Sequence, residues 1–138
     1  MTLGPAHLSG KIDLLRIDAA NKTITIVDYK TGRLGNDPAK LYRYELQLYC
    51  YKFLVAGSHS FRDYTVTNGQ LVFVEPNERG KIHVHDVIFD DAVQQRIGNL
   101  IRAMWQCIQT LQLPDTSAYT SSISGIKKFE QDLIDSLQ

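Results

Sequence analysis

The chain has 138 residues, 43% of them hydrophobic, and fifteen Lys and Arg balance fifteen Asp and Glu. This is the length of one domain with enough apolar content for a core, which excludes a disordered chain. The charge balance excludes nucleic-acid binding by bulk charge, so such a partner needs a local basic patch.

Residues 1–8 read as a loose lead-in, and "MTLGPAHLSG" has no charged region followed by an apolar stretch, so it does not read as a signal peptide. Residues 10–18 and 22–30 read as two strands separated by the short turn "AAN". "TGRLGNDP" is a loop rich in Gly, Asn and Pro, and residues 39–57 then read as a helix closed by Gly57. That helix carries two apolar stripes on nearly opposite sides. One holds Leu41, Tyr44, Leu48, Tyr51 and Val55; the other holds Tyr42, Leu46, Tyr49 and Phe53. A surface helix needs only one stripe, so either the tyrosine hydroxyls are wet or something packs on the second: the tail helix, a partner or a further domain.

"DYTVTNGQLVFVEP" and "GKIHVHDVIF" are two more strand-like runs joined by "PNERG", with Asn68–Gly69 as a turn or a bulge in the first. His83 and His85 alternate on the second run and are expected on a solvated face. Residues 90–113 place Val93, Ile97, Leu100, Ile101, Met104, Ile108 and Leu111 at helical spacing, with Pro114 as the stop. Residues 114–138 read as a Ser/Thr-rich linker and a short helix with Ile126, Phe129, Leu133 and Leu137 on one side. The expected organisation is one domain over residues 1–138, in the order β-β-α-β-β-α-(α). Cys50 and Cys107 stand outside any CxxC or Cys/His cluster, which excludes a zinc or iron–sulfur site built from neighbouring ligands. Buried free thiols suit a reducing, cytoplasmic setting. No apolar run approaches the roughly 20 residues of a membrane span, so no membrane partner is expected.

The chemistry concentrates in "TITIVDYKTGR". Asp28 and Lys30 stand two apart on a strand and so share a face. If the first two strands form a hairpin centred on Ala20–Asn21, paired residue numbers sum to 41. Asp13 then opposes Asp28, Lys11 opposes Lys30, Leu15 opposes Ile26 and Ile17 opposes Ile24. Two opposed carboxylates repel. A divalent cation such as Mg²⁺ or Mn²⁺, a shared proton, or salt bridges to Lys30 and Lys11 would offset that repulsion. Two carboxylates and a lysine are also the groups that metal-assisted phosphodiester hydrolysis uses: the acids hold the ion, and the ammonium positions water and stabilises the developing anion. The backbone carbonyl of Tyr29 is a further ligand candidate.

"GKID", "IVDYKTG" and "QLYCY" together resemble the PD-(D/E)XK nuclease superfamily, specifically its RecB-like branch. The three motifs cover residues 10–51, in order, on strand, strand and helix. The resemblance implies an α/β, restriction-endonuclease-like core: a central mixed β-sheet flanked by helices. It implies Asp13 and Asp28 as metal-binding carboxylates, Lys30 as the catalytic lysine, and Gln47 and Tyr51, one helical turn apart, as residues lining the cleft. It further implies a Mg²⁺- or Mn²⁺-dependent (exo)deoxyribonuclease acting in DNA repair or recombination, with DNA as partner and a helicase domain or subunit beside it. Lys11, Arg33, Lys40 and Arg43 become DNA-backbone contacts on that reading. Three departures stand out. Leu14 occupies the place where an Arg often follows the first Asp. No upstream His or Glu ligand segment precedes it, His7 lying too near Asp13 to match. No C-terminal cysteine group is present for an iron–sulfur cluster. The resemblance thus also admits a catalytically incomplete module with a structural, DNA-guiding or protein-interaction role.

Overall fold

The computed structural model describes residues 2–3, 6–33, 35–112 and 114–136. In chain order the elements are β1 (Thr2–Leu3), β2 (Ala6–His7), β3 (Leu14–Asp18), β4 (Thr23–Lys30), α1 (Pro38–Ala56), β5 (Thr65–Phe73), β6 (His83–Ile88), α2 (Asp91–Thr110) and α3 (Ile123–Asp135). From β3 onward this is the order expected from the sequence. The chain forms two compact units, Ser9–Asp90 and a second made of Met1–Leu8 with Asp91–Gln138.

The first unit is built on a four-stranded sheet in the order β3-β4-β5-β6. The outer pairs are antiparallel, and β4 runs parallel to β5 because α1 forms the crossover between them. The hairpin register is the one expected from a turn centred on Ala20–Asn21, with Leu15 opposite Ile26 and Ile17 opposite Ile24. The first strand is shorter than its apolar run, beginning at Leu14 and not at residue 10. The cause is a side chain competing with the backbone: the Tyr29 N–H, which the next rung of the ladder needs, donates instead to Asp13 Oδ2 at 2.9 Å. Lys11 is therefore not paired with Lys30.

Ile24 and Ile26 on β4, with Leu71 and Phe73 on β5, are buried on the face toward α1, whose Leu48 and Val55 are buried as well and whose Tyr44 ring lies 6.1 Å from that of Phe73. Gly69 permits this close approach, since a Cβ there would lie 3.0 Å from Leu48 Cδ1 and 3.1 Å from Phe89 Cζ. The bulge expected near Asn68 is present: Ile24 pairs with Val66 and Thr25 with Asn68, leaving Thr67 over.

Helix α1 opens on Asp37, whose carboxylate accepts the N–H groups of Ala39 and Lys40, with Pro38 in the first turn. Both stripes of α1 carry buried residues, Leu48, Tyr51 and Val55 on one and Tyr49 and Phe53 on the other. The second stripe is met within the same unit. Tyr49 packs edge-on against Phe89 with centroids 4.9 Å apart, and its hydroxyl accepts the Asp90 N–H at 3.0 Å.

In the second unit β1 and β2 pair antiparallel, and α2 packs on α3 through Leu100, Ala103 and Leu133, flanked by Cys107, Phe129 and Ile134. The buried line of α2 is thus rotated from the expected stripe, leaving Val93, Met104, Ile108 and Leu111 exposed. The helix also stops before Pro114 can stop it. Leu111 takes φ +56°, and the Gln112 N–H closes on the Cys107 carbonyl at 3.1 Å. Leu137, expected on the apolar side of α3, lies outside the described residues.

Candidate active site

Strand β4 changes character along its length. On the face toward α1 it carries Ile24 and Ile26, then Asp28, only 3% exposed, and then Lys30. Both charged side chains are held where the aliphatic pattern puts them. Lys30 Nζ lies 2.7 Å from Asp28 Oδ2. The approach is off the hydrogen-bonding direction, so Oδ2 is a buried acceptor with an ionic neighbour and no directed hydrogen bond. Lys30 spends its directed bond on α1, donating to Gln47 Oε1 at 2.6 Å, while Gln47 Nε2 donates to the Tyr51 hydroxyl at 2.7 Å. Tyr44 completes the cage, with Lys30 Nζ 4.3 Å from its ring centroid. Tyr44, Gln47 and Tyr51 fall at i, i+3 and i+7, one face of the helix. Gly10 lets the segment before Asp13 run close to that face, since a Cβ there would lie 3.1 Å from Leu54 Cδ1 and 3.6 Å from Tyr51.

The two acids divide their charge unequally. Burial raises the Asp28 pKa above the ordinary carboxylate value; Lys30 opposes the rise, and Asp13 adds to it. Asp13 is exposed and moves the other way. A hydrogen bond with Asp28 and the Tyr29 N–H lower its pKa, with smaller help from the charges of Lys30 and Lys11. On acidification the first proton therefore goes to Asp28 and not to Asp13, with Lys30 as the neighbouring cation. Burial and the negative charge of Asp28 also raise the Tyr51 hydroxyl pKa.

A family-implied divalent cation can be tested against these residues. Two carboxylates, one with a buried oxygen lacking a directed hydrogen bond, are the hard donors that Mg²⁺ or Mn²⁺ takes. Among the described residues no group of three His, Cys, Asp or Glu gathers. The chain thus fits such an ion through Asp13 and Asp28, leaving other positions to the Tyr29 carbonyl, water and a phosphate. The side chain of His7 lies outside the described residues.

Of the proposed backbone contacts, Lys40 lies 5.8 Å from the centroid of the Tyr44 ring that carries Lys30, and the charge of Lys11 reaches Asp13. Arg33 is paired with Glu75 at 3.3 Å, while Lys11 and Arg43 are exposed. His85 is not on an open face as expected: its Nε2 lies 2.9 Å from Glu45 Oε1 of α1. Spacing puts Tyr44 on an apolar stripe; its position three residues before Gln47 is the sequence signal for its place under Lys30.

A family model of the PD-(D/E)XK nuclease superfamily matches residues 2–126. No curated protein and no solved structure matches the chain. The mixed sheet with α1 as its parallel crossover is the α/β arrangement of restriction-endonuclease type expected from the motifs.

Proposed function

Because the chain belongs to the PD-(D/E)XK nuclease superfamily, we propose that it hydrolyses phosphodiester bonds of DNA with Mg²⁺ or Mn²⁺ held by Asp13 and Asp28. The observation that carries this reading is the burial of Asp28 against Lys30, beside a second carboxylate. Packing alone would not select that arrangement, because burying a charge costs free energy unless it is fully paired. Such an ion supplies a more acidic water and shields the phosphate's negative charge.

The protein's own residues supply the rest. Lys30, held by Gln47 and the Tyr44 ring, keeps its ammonium at one point and stabilises charge developing on the phosphoryl oxygens. Gln47 and Tyr51 fix that position through a chain of two hydrogen bonds. Asp13 stays ionised and exposed, the Tyr29 carbonyl is a further ligand, and Lys11, Lys40 and Arg43 serve as contacts for the backbone of DNA, Arg33 being paired with Glu75. The motif pattern favours a RecB-like role in repair or recombination, alongside a helicase domain or subunit. A second reading, an inactive module of the same fold, draws on the absence of a third acidic or His ligand among the described residues.

The deciding experiment is cleavage of single- and double-stranded DNA with Mn²⁺, Mg²⁺ or EDTA, comparing the intact protein with Asp28→Ala and Lys30→Ala. Metal-dependent cleavage lost in both variants supports the nuclease reading. No cleavage and no Mn²⁺ binding by the intact protein moves the assignment to the inactive module.

A further inference from the structure

Beyond the carboxylates, the unit Ser9–Asp90 carries a cavity of about 380 Å³ lined by Arg33, Asn36, Phe73, Glu75, Glu78 and His83. Its volume lies within the roughly 300–1,000 Å³ of small-molecule sites. It sits at the same end of the sheet as the acid pair. Phe73 is the rung opposite Lys30, and Arg33 follows Lys30 by three residues, after Gly32 turns the chain with φ +83°. A relay of rings joins the two places. Tyr44, under Lys30, lies 6.1 Å from Phe73, and Phe73 lies 6.0 Å from the His83 ring, centroid to centroid.

The lining sorts the candidate ligands. Two carboxylates against one guanidinium disfavour a phosphate. Arg33 is already engaged with Glu75 at 3.3 Å. What the walls offer is carboxylate acceptors, amides and an exposed imidazole face. Those groups match a flat heterocycle that presents amino donors at its edge.

We infer that this cavity is a base subsite: it takes one unpaired nucleobase bearing an exocyclic amino group, from the nucleotide next to the phosphate held at Asp13 and Asp28. This rests on the nuclease reading and narrows its substrate to strands with an unpaired base beside the cut. A base still in a duplex has its edge occupied and cannot enter. Thymine, which lacks the amino group, is the natural negative control.

Amide chemical-shift mapping of the metal-free protein tests it, with deoxycytidine monophosphate, thymidine monophosphate and inorganic phosphate titrated separately. The expected result is shifts at Gly35, Asn36, Glu78 and His83 with the cytidine nucleotide, saturating at about fivefold or more lower concentration than with thymidine. In the double variant Glu75→Ala/Glu78→Ala, its fold checked by the same spectra, the two nucleotides should become equal. Equal binding of both by the intact protein overturns the amino-base preference. Shifts no different from those caused by phosphate overturn the subsite. Neither result touches the cleavage assay, so loss of the subsite and loss of the nuclease reading are read separately.

Discussion

The sheet of the unit Ser9–Asp90 carries two polar clusters, and they differ in kind. Toward the start of β4, Thr25 Oγ1 donates to Asn68 Oδ1 at 2.8 Å, Asn68 Nδ2 donates to Asp86 at 3.1 Å, and Arg16 donates to Gln70 at 2.9 Å. Every one of these contacts is a directed bond, and most of the participants are partly wet. Toward the end of the same strand, Asp28 is buried with one oxygen lacking a directed bond, its pKa raised, and a lysine at its side. The first cluster looks like what a sheet needs to stay folded. The second is strained for its place, and such local conflict concentrates where a protein works.

The largest expected effect breaks the second cluster. Lys30→Ala and Asp28→Ala should each lower cleavage by about 10²–10³-fold or more, as removal of a single charge-stabilising group does elsewhere. Single-turnover rates check this. Asp28→Asn should be equally inactive yet more stable at neutral pH, by about 1 kcal/mol, because it removes a buried charge; urea unfolding at pH 7 measures it.

The acid pair also sets a pH signature. The folded pKa of Asp28 lies above its unfolded value near 3.8. The native state therefore binds the extra proton, and the stability from Asp28 falls as pH rises from that value through the raised one. Asp13 has the opposite sign, contributing stability above 3.8 that is lost as pH falls through its lowered value. Asp28→Asn should erase the first slope and spare most of the second, in unfolding curves taken across pH 3–7. On the proposed function, Mn²⁺ binding should weaken on acidification, since a protonated Asp28 would be a poor ligand; a metal titration across pH checks this.

Smaller effects sharpen the contrast. Gly69→Ala should cost about 1–3 kcal/mol by overpacking against Leu48 and Phe89, and any surviving folded fraction should keep its activity per molecule. Gln47→Ala should reduce the cleavage rate about tenfold, less than loss of Lys30 itself, since the Tyr44 ring and Asp28 still hold the ammonium. Least of all, Arg16→Ala in the first cluster should change stability by under about 0.5 kcal/mol and leave cleavage unchanged. A large loss there would end the distinction between the clusters.

Much of this was legible in the chain because it is local. Alternation put Asp28 and Lys30 on one face with Ile24 and Ile26, and the short turn set the hairpin register. Helical spacing put Gln47 and Tyr51 together. The PD-(D/E)XK pattern lay in three short motifs, and a strand-turn-strand followed by a capped helix needs only neighbouring residues to be read. What the sequence could not determine depends on residues far apart meeting. The ladder stops at Leu14 because Asp13 takes the Tyr29 N–H, a bond across sixteen positions. Tyr44 lies under Lys30, His85 meets Glu45, and Phe89 covers Tyr49 only once β4, β5 and β6 stand side by side against α1. The buried line of α2 depends on where α3 docks, so spacing gave the helix but not its covered face. Periodicity reports which side chains share a surface; burial, charge sharing and the raised pKa of Asp28 come from what the fold places opposite that surface.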